Sequence, residues 1–162
     1  MKIAICYYSK HHGNTLKVLE AMAKVHNIDL IDITLRSAVH LEEYDLIGFA
    51  SGIYGFEFHK SVINFAQQYF PCGKKVFFVY TYGLNKGTGC KLLAKIVSER
   101  DAVILGEYGC RGYDTFGPLK LTGGIAKGHP DEEDLRQAQK FLKKSSCNMR
   151  IKQSIMEYKN FL

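Results

Sequence analysis

The sequence predicts a single α/β domain in which helices cover both faces of a parallel sheet. Its 162 residues are enough for one domain with a full hydrophobic core. Short, nearly continuous apolar segments alternate along the chain with amphipathic segments of helical spacing. This alternation is typical of a parallel sheet whose strands are joined by crossover helices. No linker rich in proline, glycine or serine divides the chain.

The first half of the chain contains two strands predicted to be buried on both faces. Lys2–Tyr8 is nearly continuous in apolar residues, and Tyr44–Ala50 has the same character. Thr15–Val25 has apolar residues near helical spacing, whereas Ile28–Thr34 alternates apolar and acidic residues like a strand nearer an edge. Ser37–Glu43 is predicted to be a short connection.

The second half continues the alternation of helices and strands. In chain order it predicts a helix over Lys60–Tyr69, a strand over Lys75–Tyr80, a helix over Gly87–Ser98, a strand over Ala102–Tyr108 and a helix over Asp131–Lys144. Asp131 is a good N-cap for the last helix, and Asp134 is close to the spacing of a capping-box partner.

Two segments lack such a regular pattern. Residues 109–130 are rich in glycine and show little periodicity, which predicts a functional or mobile loop. Residues 145–162 form a basic and apolar extension of a domain that covers residues 1–144. The apolar residues of this extension suit a helix that docks either on the same domain or on a partner: Ile151, Ile155, Met156 and Tyr158.

The composition is that of a soluble globular protein, with 46% hydrophobic and 23% charged residues. No apolar run approaches the ~20 residues that span a bilayer, and the apolar start is too short for a secretory leader. The five cysteines are scattered without C-x-x-C pairing, which disfavours a disulfide framework or a structural zinc site. We therefore expect a cytoplasmic protein with no membrane span and with mostly buried free thiols, at Cys6, Cys72, Cys90, Cys110 and Cys147.

The net charge of +6 does not by itself indicate a nucleic-acid partner. Much of the excess lies late in the chain, where a basic run is usually a solvated helix face that complements the helix dipole. No zinc-finger, basic-zipper or recognition-helix pattern accompanies it. We expect no nucleic-acid binding, and tight, salt-sensitive binding of DNA would contradict this expectation.

The end of the first predicted strand has the features of an anion site. The strand stops at a small polar loop, and a helix starts directly after that loop. Helix N-termini present free N–H groups and partial positive charge. Ser9, Asn14 and Thr15 can add side-chain donors, and Gly13 lets the backbone approach a bound group closely. The natural ligand of such a loop is a phosphate.

Two further strands end in small loops at the same predicted edge of the sheet. Ser51–Phe56 follows the third strand and Thr81–Leu84 follows the fourth. Ligands of open parallel sheets bind beyond the carboxyl ends of the strands. Tyr54, Phe56 and Tyr82 bring aromatic faces to this edge. Stacking of one such face on a flat ring stabilises the complex by roughly 0.5–1.5 kcal/mol, in addition to the free energy gained from burial of the ring. The three loops together predict a site for a flat ring with a phosphate tail.

These loops resemble the ligand-binding loops of the flavodoxin family. The segment Tyr8–Thr15 is similar to its phosphate loop, whose usual form is Thr/Ser-x-Thr-Gly-x-Thr, and the other two loops fall where the family places its flavin-flanking loops. Gly117–Leu135 resembles the tail of flavodoxin-domain proteins found in bacteria. The likeness covers residues 1–144. It implies a doubly wound, five-stranded parallel sheet of order 2-1-3-4-5, the order known from flavodoxin itself.

The resemblance implies FMN as the cofactor, with its phosphate in the first loop and its ring between the other two. The implied cofactor-binding residues are Ser9, Lys10, His11, His12, Gly13, Asn14 and Thr15 for the phosphate, and Ser51, Gly52, Ile53, Tyr54, Gly55, Phe56, Thr81, Tyr82, Gly83 and Leu84 for the ring. Because the chain has no tryptophan, Tyr54 is the first candidate for stacking and Tyr82 the second.

The phosphate loop departs from the family pattern in two respects. It has one extra residue, and His11 and His12 replace hydroxyl residues. Adjacent histidines have poor geometry for a shared metal on regular structure, so we expect them to face solvent or to donate to the phosphate. The sequence predicts no metal site.

The resemblance implies an electron carrier that passes electrons between redox partner proteins. The sequence shows no convincing catalytic triad or carboxylate pair, and a carrier needs neither. An alternative on the same fold is an FMN-dependent NAD(P)H quinone-type oxidoreductase, in which residues 109–130 would cover the flavin.

Two other classes of protein with this architecture are excluded, because this chain lacks their key residues. A response-regulator receiver needs acidic residues where this chain has Ser9, Lys10 and Ser51. A low-molecular-weight phosphatase needs Cys-x5-Arg over its phosphate loop, whereas Cys6 is followed at that spacing by His12.

The charge of the three loops predicts a redox property. Glu57, at the margin of the second loop, is their one acidic residue. Negative charge near a buried ring opposes the reduction of that ring to an anion. We therefore expect the second reduction step of a bound flavin to have a less negative potential than in acidic flavodoxins.

Overall fold

The computed structural model describes residues 1–35 and 39–161, with side chains through residue 147. The strands are β1 (Ile3–Tyr8), β2 (Ile28–Asp32), β3 (Leu46–Tyr54), β4 (Glu57–Phe58), β5 (Lys75–Tyr82) and β6 (Val103–Arg111). The helices are α1 (Asn14–Ala23), α2 (Lys60–Tyr69), α3 (Lys91–Ser98) and α4 (Glu132–Phe161). Short 3-10 turns occur at Leu41–Glu43 and Gly117–Lys120.

The five long strands form a parallel sheet in the order β2-β1-β3-β5-β6. When these long strands are counted alone, the order is 2-1-3-4-5, so the predicted fold class is confirmed. The chain reverses its direction of winding between β1 and β3, which are direct neighbours in register from Ile3 and Leu46 onward. Ligand crevices of open parallel sheets form at such a switch point.

Each face of the sheet is covered by a pair of helices, which explains why its strands are apolar on both sides. Cys6 of β1 belongs to a buried cluster with residues of α2 and α3. Its neighbour Ile5 belongs to a second cluster with residues of α1 and α4. Both side chains are 0% exposed. Successive side chains of a strand point to opposite faces of the sheet. A strand that is covered on both faces is therefore apolar at nearly every position.

The two strands that lead into the predicted ring loops, β3 and β5, are longer than predicted. β3 runs to Tyr54 rather than to Ala50, because its last two residues pair with the short antiparallel strand β4. Similarly, β5 continues through Tyr82, because β6 pairs with it as far as that residue. The predicted loops Ser51–Phe56 and Thr81–Leu84 are therefore partly strand.

Most other predicted bounds agree with the structure. α2 has the predicted bounds, and α1, β1 and β2 differ from theirs by at most two residues at either end. α3 starts at Lys91 rather than at Gly87, because Gly87 and Gly89 adopt positive φ (56° and 59°) that a helix does not allow. β6 extends to Arg111, so the irregular segment begins at Gly112.

The last helix begins with the predicted capping box and continues past the predicted domain end. The Asp134 N–H donates to Asp131 Oδ1 and the Asp131 N–H donates to Asp134 Oδ2, both at 2.9 Å. The helix backbone then runs without a break to Phe161. Ser145 and Ser146 are buried, each 3% exposed. The apolar side chains of the predicted docking helix lie outside the described residues, and the division at residue 144 stays a prediction.

The cysteines are free throughout the described chain. Cys6, Cys90 and Cys110 are buried, and Cys72 and Cys147 are exposed. Burial raises the pKa of the Cys110 thiol to about 12, as for a quiet structural thiol. Separately, no helix among the described residues has the length and apolar character that crossing a membrane requires.

Candidate cofactor-binding site

A cleft of about 430 Å³ opens at the carboxyl edge of the sheet. Its walls come from the ends of β1, β3 and β5 and from the segment after β6. The predicted residues that line it are Ser9, His11, Asn14, Thr15, Gly52, Ile53, Tyr54, Gly55, Phe56, Thr81, Tyr82, Gly83 and Leu84. The three predicted loops thus meet at one cavity, whose size is typical of small-molecule sites.

The loop between β1 and α1 offers backbone donors at this cleft. Gly13 has left-handed geometry (φ 66°) immediately before the helix, a conformation that glycine adopts without strain. The Leu16 N–H donates to Ser9 Oγ (3.1 Å). Within the described chain, the N–H groups of Asn14 and Thr15 form no hydrogen bond. The helix start therefore keeps donors and partial positive charge for an anion.

The polar side chains at the start of α1 already have partners inside the protein. Thr15 Oγ1 lies 2.9 Å from Thr81 Oγ1 in a buried contact, which joins the first loop to β5. Asn14 Nδ2 donates to the Tyr113 carbonyl (2.8 Å). A Cβ on Gly112 would lie 2.8 Å from Asn14 Nδ2, so this approach requires glycine. These side chains hold the loops together, which leaves the backbone N–H groups as the main donors for a phosphate.

Three of the predicted phosphate ligands, Lys10, His12 and Gly13, do not line the cleft itself. His12 Nε2 instead lies 2.9 Å from Thr115 Oγ1, and the Lys10 side chain is exposed beside the loop. No carboxylate occurs between residues 9 and 15. The field at the helix start therefore favours a phosphate dianion.

The second wall is the hairpin of β3 and β4. Ser51 does not line the cleft: it is buried, and its Oγ donates to the Gly52 carbonyl (2.6 Å) and accepts the His59 N–H (3.1 Å). Tyr54 is half-buried. Phe56, at the turn, is 64% exposed. This wall therefore offers one ring packed into the protein and one that stands free at the cleft mouth.

His59 holds the Tyr54 wall in place. Its ring stacks on Tyr8 (centroids 3.7 Å apart, 4° between planes) and meets Tyr54 edge-on at 5.1 Å. Its Nδ1 accepts the Ser61 N–H (3.2 Å) and so caps α2. Burial, and then the Lys10 ammonium, lower the pKa of His59 below its ordinary value of 6.5. The neutral ring is therefore the form that caps the helix.

We expect His59 to make the folded protein less stable at acid pH. Since its pKa is lower in the folded chain than the value of ~6.5 in the unfolded chain, the unfolded chain takes up the proton first. The stability that depends on neutral His59 is complete above pH ~6.5 and is lost as the pH falls from there toward the folded-state pKa. His59→Asn keeps a capping oxygen and does not titrate.

The measurement is the melting temperature of the wild type and of His59→Asn across this pH range. The melting temperature of the wild type minus that of His59→Asn should be constant above neutral pH and should decrease as the pH falls. A difference that stays constant throughout would show that His59 has no such role.

The third wall combines the end of β5 with part of residues 109–130, a segment that the sequence placed over the flavin only in the alternative oxidoreductase function. Tyr82 is half-buried and its ring centroid lies 6.2 Å from that of Tyr80, and Leu84 is 76% exposed at the rim. The additional lining residues are Asn85, Gly112, Tyr113, Asp114 and Phe116. The glycine-rich, irregular sequence of residues 109–130 predicted a functional or mobile loop. The sequence pattern does not predict that this loop contacts the end of β5.

Residues 112–130 form a folded flap at the side of the cleft. Asp114 and Ile125 exchange two backbone hydrogen bonds, of 3.1 and 2.9 Å. The Asp114 carboxyl group packs on Gly83, where a Cβ would lie 2.2 Å from Oδ2. Its Oδ1 accepts the Phe116 N–H (2.8 Å). Asp114 is therefore a second carboxylate near the predicted ring site. The expectation of a less negative reduction potential took account of Glu57 alone.

One group of metal-ligand type occurs among the described residues, away from the cleft lining. The ligand atoms of His129, Asp131 and Asp134 all lie within 4.8 Å of one another. His129 Nδ1 is 2.6 Å from Asp134 Oδ2, and both carboxylates accept the N–H bonds that cap α4. Helix capping accounts for this cluster.

A five-stranded parallel sheet of this order, with a cleft at its switch point, defines the flavodoxin-like class of α/β proteins. The family model of the flavodoxin domain matches residues 4–86. An uncharacterized protein of Methanocaldococcus jannaschii is 41% identical over 145 residues, which cover 88% of this chain and 97% of that protein. This chain belongs to the flavodoxin domain family.

Solved structures share the fold at low sequence identity. A flavodoxin from the domain Archaea has a TM-score of 0.68 at 16% identity, over 93% of this chain and 99% of that one. The flavodoxin of Fusobacterium nucleatum bound to flavin mononucleotide has a TM-score of 0.60 at 12% identity, over 91% of this chain and 99% of that one. At these identities the likeness shows the fold alone.

Proposed function

We propose that the protein binds FMN non-covalently and carries electrons between redox partner proteins. The observation that carries this proposal is a single cleft in which a helix start with unpaired N–H groups lies beside walls that bear aromatic side chains. Membership of the flavodoxin domain family supports it, as does the FMN-bound flavodoxin that shares the fold.

The residues of the cleft fit a phosphorylated flavin. The start of α1 offers N–H groups and carries no carboxylate, which suits a phosphate dianion. Tyr54, Phe56 and Tyr82 line the part of the cleft beyond the phosphate loop, where aromatic faces suit a flat ring. The isoalloxazine ring of bound FMN would supply the redox chemistry.

The protein's own contribution is to hold these walls at fixed separations. The Thr15–Thr81 contact ties the phosphate loop to the end of β5, and the Asn14–Tyr113 bond ties it to the flap. Both bonds join protein groups to one another and so restrict the movement of the walls. Such preorganisation raises affinity because the cost of ordering loops is met when the chain folds.

The test is the visible absorption spectrum of the freshly purified protein, followed by titration of the flavin-free protein with FMN. We expect a yellow protein, or one that becomes yellow and quenches flavin fluorescence when FMN is added. Riboflavin, which lacks the phosphate, should bind more weakly. A colourless protein that does not respond to FMN would contradict the proposal.

The flap favours a second candidate function, an FMN-dependent NAD(P)H quinone-type oxidoreductase. Tyr113 and Phe116 extend the lining of the cleft beyond the two ring loops, where a small acceptor would bind. Mixing the FMN-loaded protein with NADH or NADPH without oxygen separates the candidates. Rapid loss of the flavin absorbance would favour the reductase, and a stable yellow colour would favour the carrier.

We expect Asp114→Asn to make the reduction potential of bound FMN less negative. The carboxylate opposes negative charge on a reduced ring in the same cleft. At ~8 Å and an effective dielectric constant of ~20 a unit charge contributes about 2 kcal/mol, which solvent screening reduces to a shift on the order of 20–60 mV. Asparagine keeps the oxygen that accepts the Phe116 N–H.

A redox titration of both proteins measures this shift. Asp101→Asn is the matched control, because Asp101 lies in the connection between α3 and β6 at the opposite edge of the sheet. It should leave the potential unchanged. Equal potentials for the wild type and Asp114→Asn would place the flavin ring away from the flap.

A further inference from the structure

The loop between β1 and α1 carries two adjacent histidines, His11 and His12, whose surroundings differ. His11 lines the cleft, whereas His12 does not. His12 and Gly13 both adopt left-handed geometry, with φ of 53° and 66°. Two successive residues of this kind turn the chain sharply just before α1. The two imidazole rings therefore belong to different parts of the site.

His12 is bound to the flap. Its Nε2 lies 2.9 Å from Thr115 Oγ1, and its ring centroid lies 4.6 Å from that of Tyr113. Both partners belong to residues 112–130. His12 therefore helps to position the flap, and His11 is the imidazole at the cleft.

His11 has free ring nitrogens beside the start of α1. Its side chain is exposed, and its ring centroid lies 5.7 Å from that of Tyr54. Among the residues that the structure describes, its ring nitrogens form no hydrogen bond and no ion pair. The N–H groups of Asn14 and Thr15 are also unpaired. His11 can therefore join these N–H groups in binding one anion.

The groups that face His11 from its own loop and from the hairpin side carry no negative charge. Lys10 precedes it and His12 follows it. Tyr54 lies against it, and His59 lies in edge-on contact with Tyr54. Burial and the Lys10 ammonium lower the pKa of His59. These neighbours do not hold a proton on His11.

The carboxylates at this edge of the sheet have other partners. Asp114 Oδ1 accepts a flap N–H (2.8 Å). Two carboxylates at the start of α4 lie 3.8 and 2.6 Å from His129 Nδ1. Within the described chain no carboxylate, Glu57 included, forms an ion pair with His11. The acidic residues at the start of α4 do not line the cleft: Asp131, Glu132, Glu133 and Asp134.

We propose that His11 binds the FMN phosphate as an imidazolium ion, so that the binding of FMN takes up a proton from the solvent. A histidine side chain changes its charge between pH ~5 and ~8. A phosphate dianion close to the ring favours the charged form, because opposite charges attract. The proposal rests on the proposed function, since the phosphate of FMN is the anion concerned.

The expected effect on affinity follows from the charge of the ring. An imidazolium ion makes a stronger hydrogen bond to phosphate than a neutral donor does, and we expect it to bind the phosphate about tenfold more tightly than the neutral ring. Because the ring loses its proton as the pH rises, the affinity for FMN should fall about fourfold between pH ~6.5 and ~8.5. This figure includes the second ionisation of the phosphate itself, near pH ~6. Main-chain N–H groups do not titrate and contribute no such change.

Calorimetric titration with FMN in two buffers of different ionisation enthalpy measures the proton uptake. At pH ~7.5 the tenfold preference corresponds to about 0.4 proton for each FMN bound. Riboflavin, which has no phosphate, should bind without uptake. Fluorescence titrations across the same pH range measure the change in affinity separately.

Two variants assign the uptake to one side chain. His11→Gln keeps a side-chain N–H donor but carries no charge. It should take up less than about 0.1 proton and should bind FMN with nearly the same affinity across the pH range. His40→Gln is the matched control, because His40 is also exposed but precedes β3 at the opposite edge of the sheet, where its side chain caps no helix. It should retain the uptake of the wild type.

The outcomes separate His11 from the proposed function. Binding of FMN by the wild type without proton uptake overturns the role of His11 alone, and so does equal uptake in the wild type and His11→Gln. Loss of the uptake in His12→Gln but not in His11→Gln overturns it as well, because the phosphate would then contact the flap histidine. Equal uptake with riboflavin and FMN has the same meaning. A protein that binds no FMN overturns the proposed function and this inference with it.

Discussion

Asn14→Asp should weaken FMN binding by about 100-fold. Asn14 is the first residue of α1, where the N–H is unpaired and Nδ2 donates to the Tyr113 carbonyl. Aspartate removes that donor and places a negative charge beside the predicted phosphate. At ~5 Å and an effective dielectric constant of ~20, two like charges repel by roughly 3 kcal/mol, which corresponds to about two powers of ten in affinity.

The loss of affinity should not come from loss of the fold. An aspartate in the first turn of a helix interacts favourably with the helix dipole, so α1 itself should tolerate the change. Thermal unfolding of the flavin-free variant checks this point.

Fluorescence titration with FMN and with riboflavin separates the phosphate effect from the structural one. Riboflavin has no phosphate, so its affinity should fall much less in Asn14→Asp. Asn14→Leu is the matched control, because it removes the bond to Tyr113 without adding charge, and it should affect the two ligands alike. Equal losses of FMN and riboflavin in Asn14→Asp would place the phosphate elsewhere.

Phe49→Ala should lower the free energy of unfolding by about 3–5 kcal/mol, the usual cost of removing a buried phenylalanine ring. Phe49 lies in the central strand β3, is 0% exposed, and packs against Phe70 with ring centroids 5.9 Å apart. Because small domains are stable by only about 5–15 kcal/mol in total, this single change should bring the protein close to its unfolding threshold.

Phe56→Ala removes the same atoms from the cleft mouth and makes a matched control. Phe56 is 64% exposed, so its truncation should change stability by less than about 1 kcal/mol. Urea unfolding followed by circular dichroism measures both variants. Similar losses in the two proteins would show that the Phe56 ring belongs to the cooperative core, although it is exposed at the cleft.

Much of the fold could be read from local patterns. The apolar run before Tyr8 and the polar loop after it predicted a buried strand followed by a helix start, and both occur. The Asp131 and Asp134 spacing predicted a helix cap that the structure contains. Such signals involve residues within a few positions of one another, so the sequence alone expresses them.

Strand ends and cleft walls were less predictable because they depend on partners far along the chain. β3 extends past Ala50 through its pairing with β4. Ser51 was expected at the ring but is buried against the His59 N–H. The carboxylate of Asp114 reaches the cleft through its contact with Gly83, and no local pattern predicts that contact.

Hydrophobic periodicity and turn residues by themselves determined the α/β class, the helix start after Gly13 and the three loops that meet at one edge of the sheet. Only the tertiary structure decided which side chains face the cleft, that the flap forms its third wall, and that Phe56 and Phe116 are exposed at the cleft. The physical reason is the range of the interactions. Periodicity reflects the burial of neighbouring residues, whereas the cleft is built by contacts such as Thr15–Thr81 and Asn14–Tyr113, which join residues far apart in the chain.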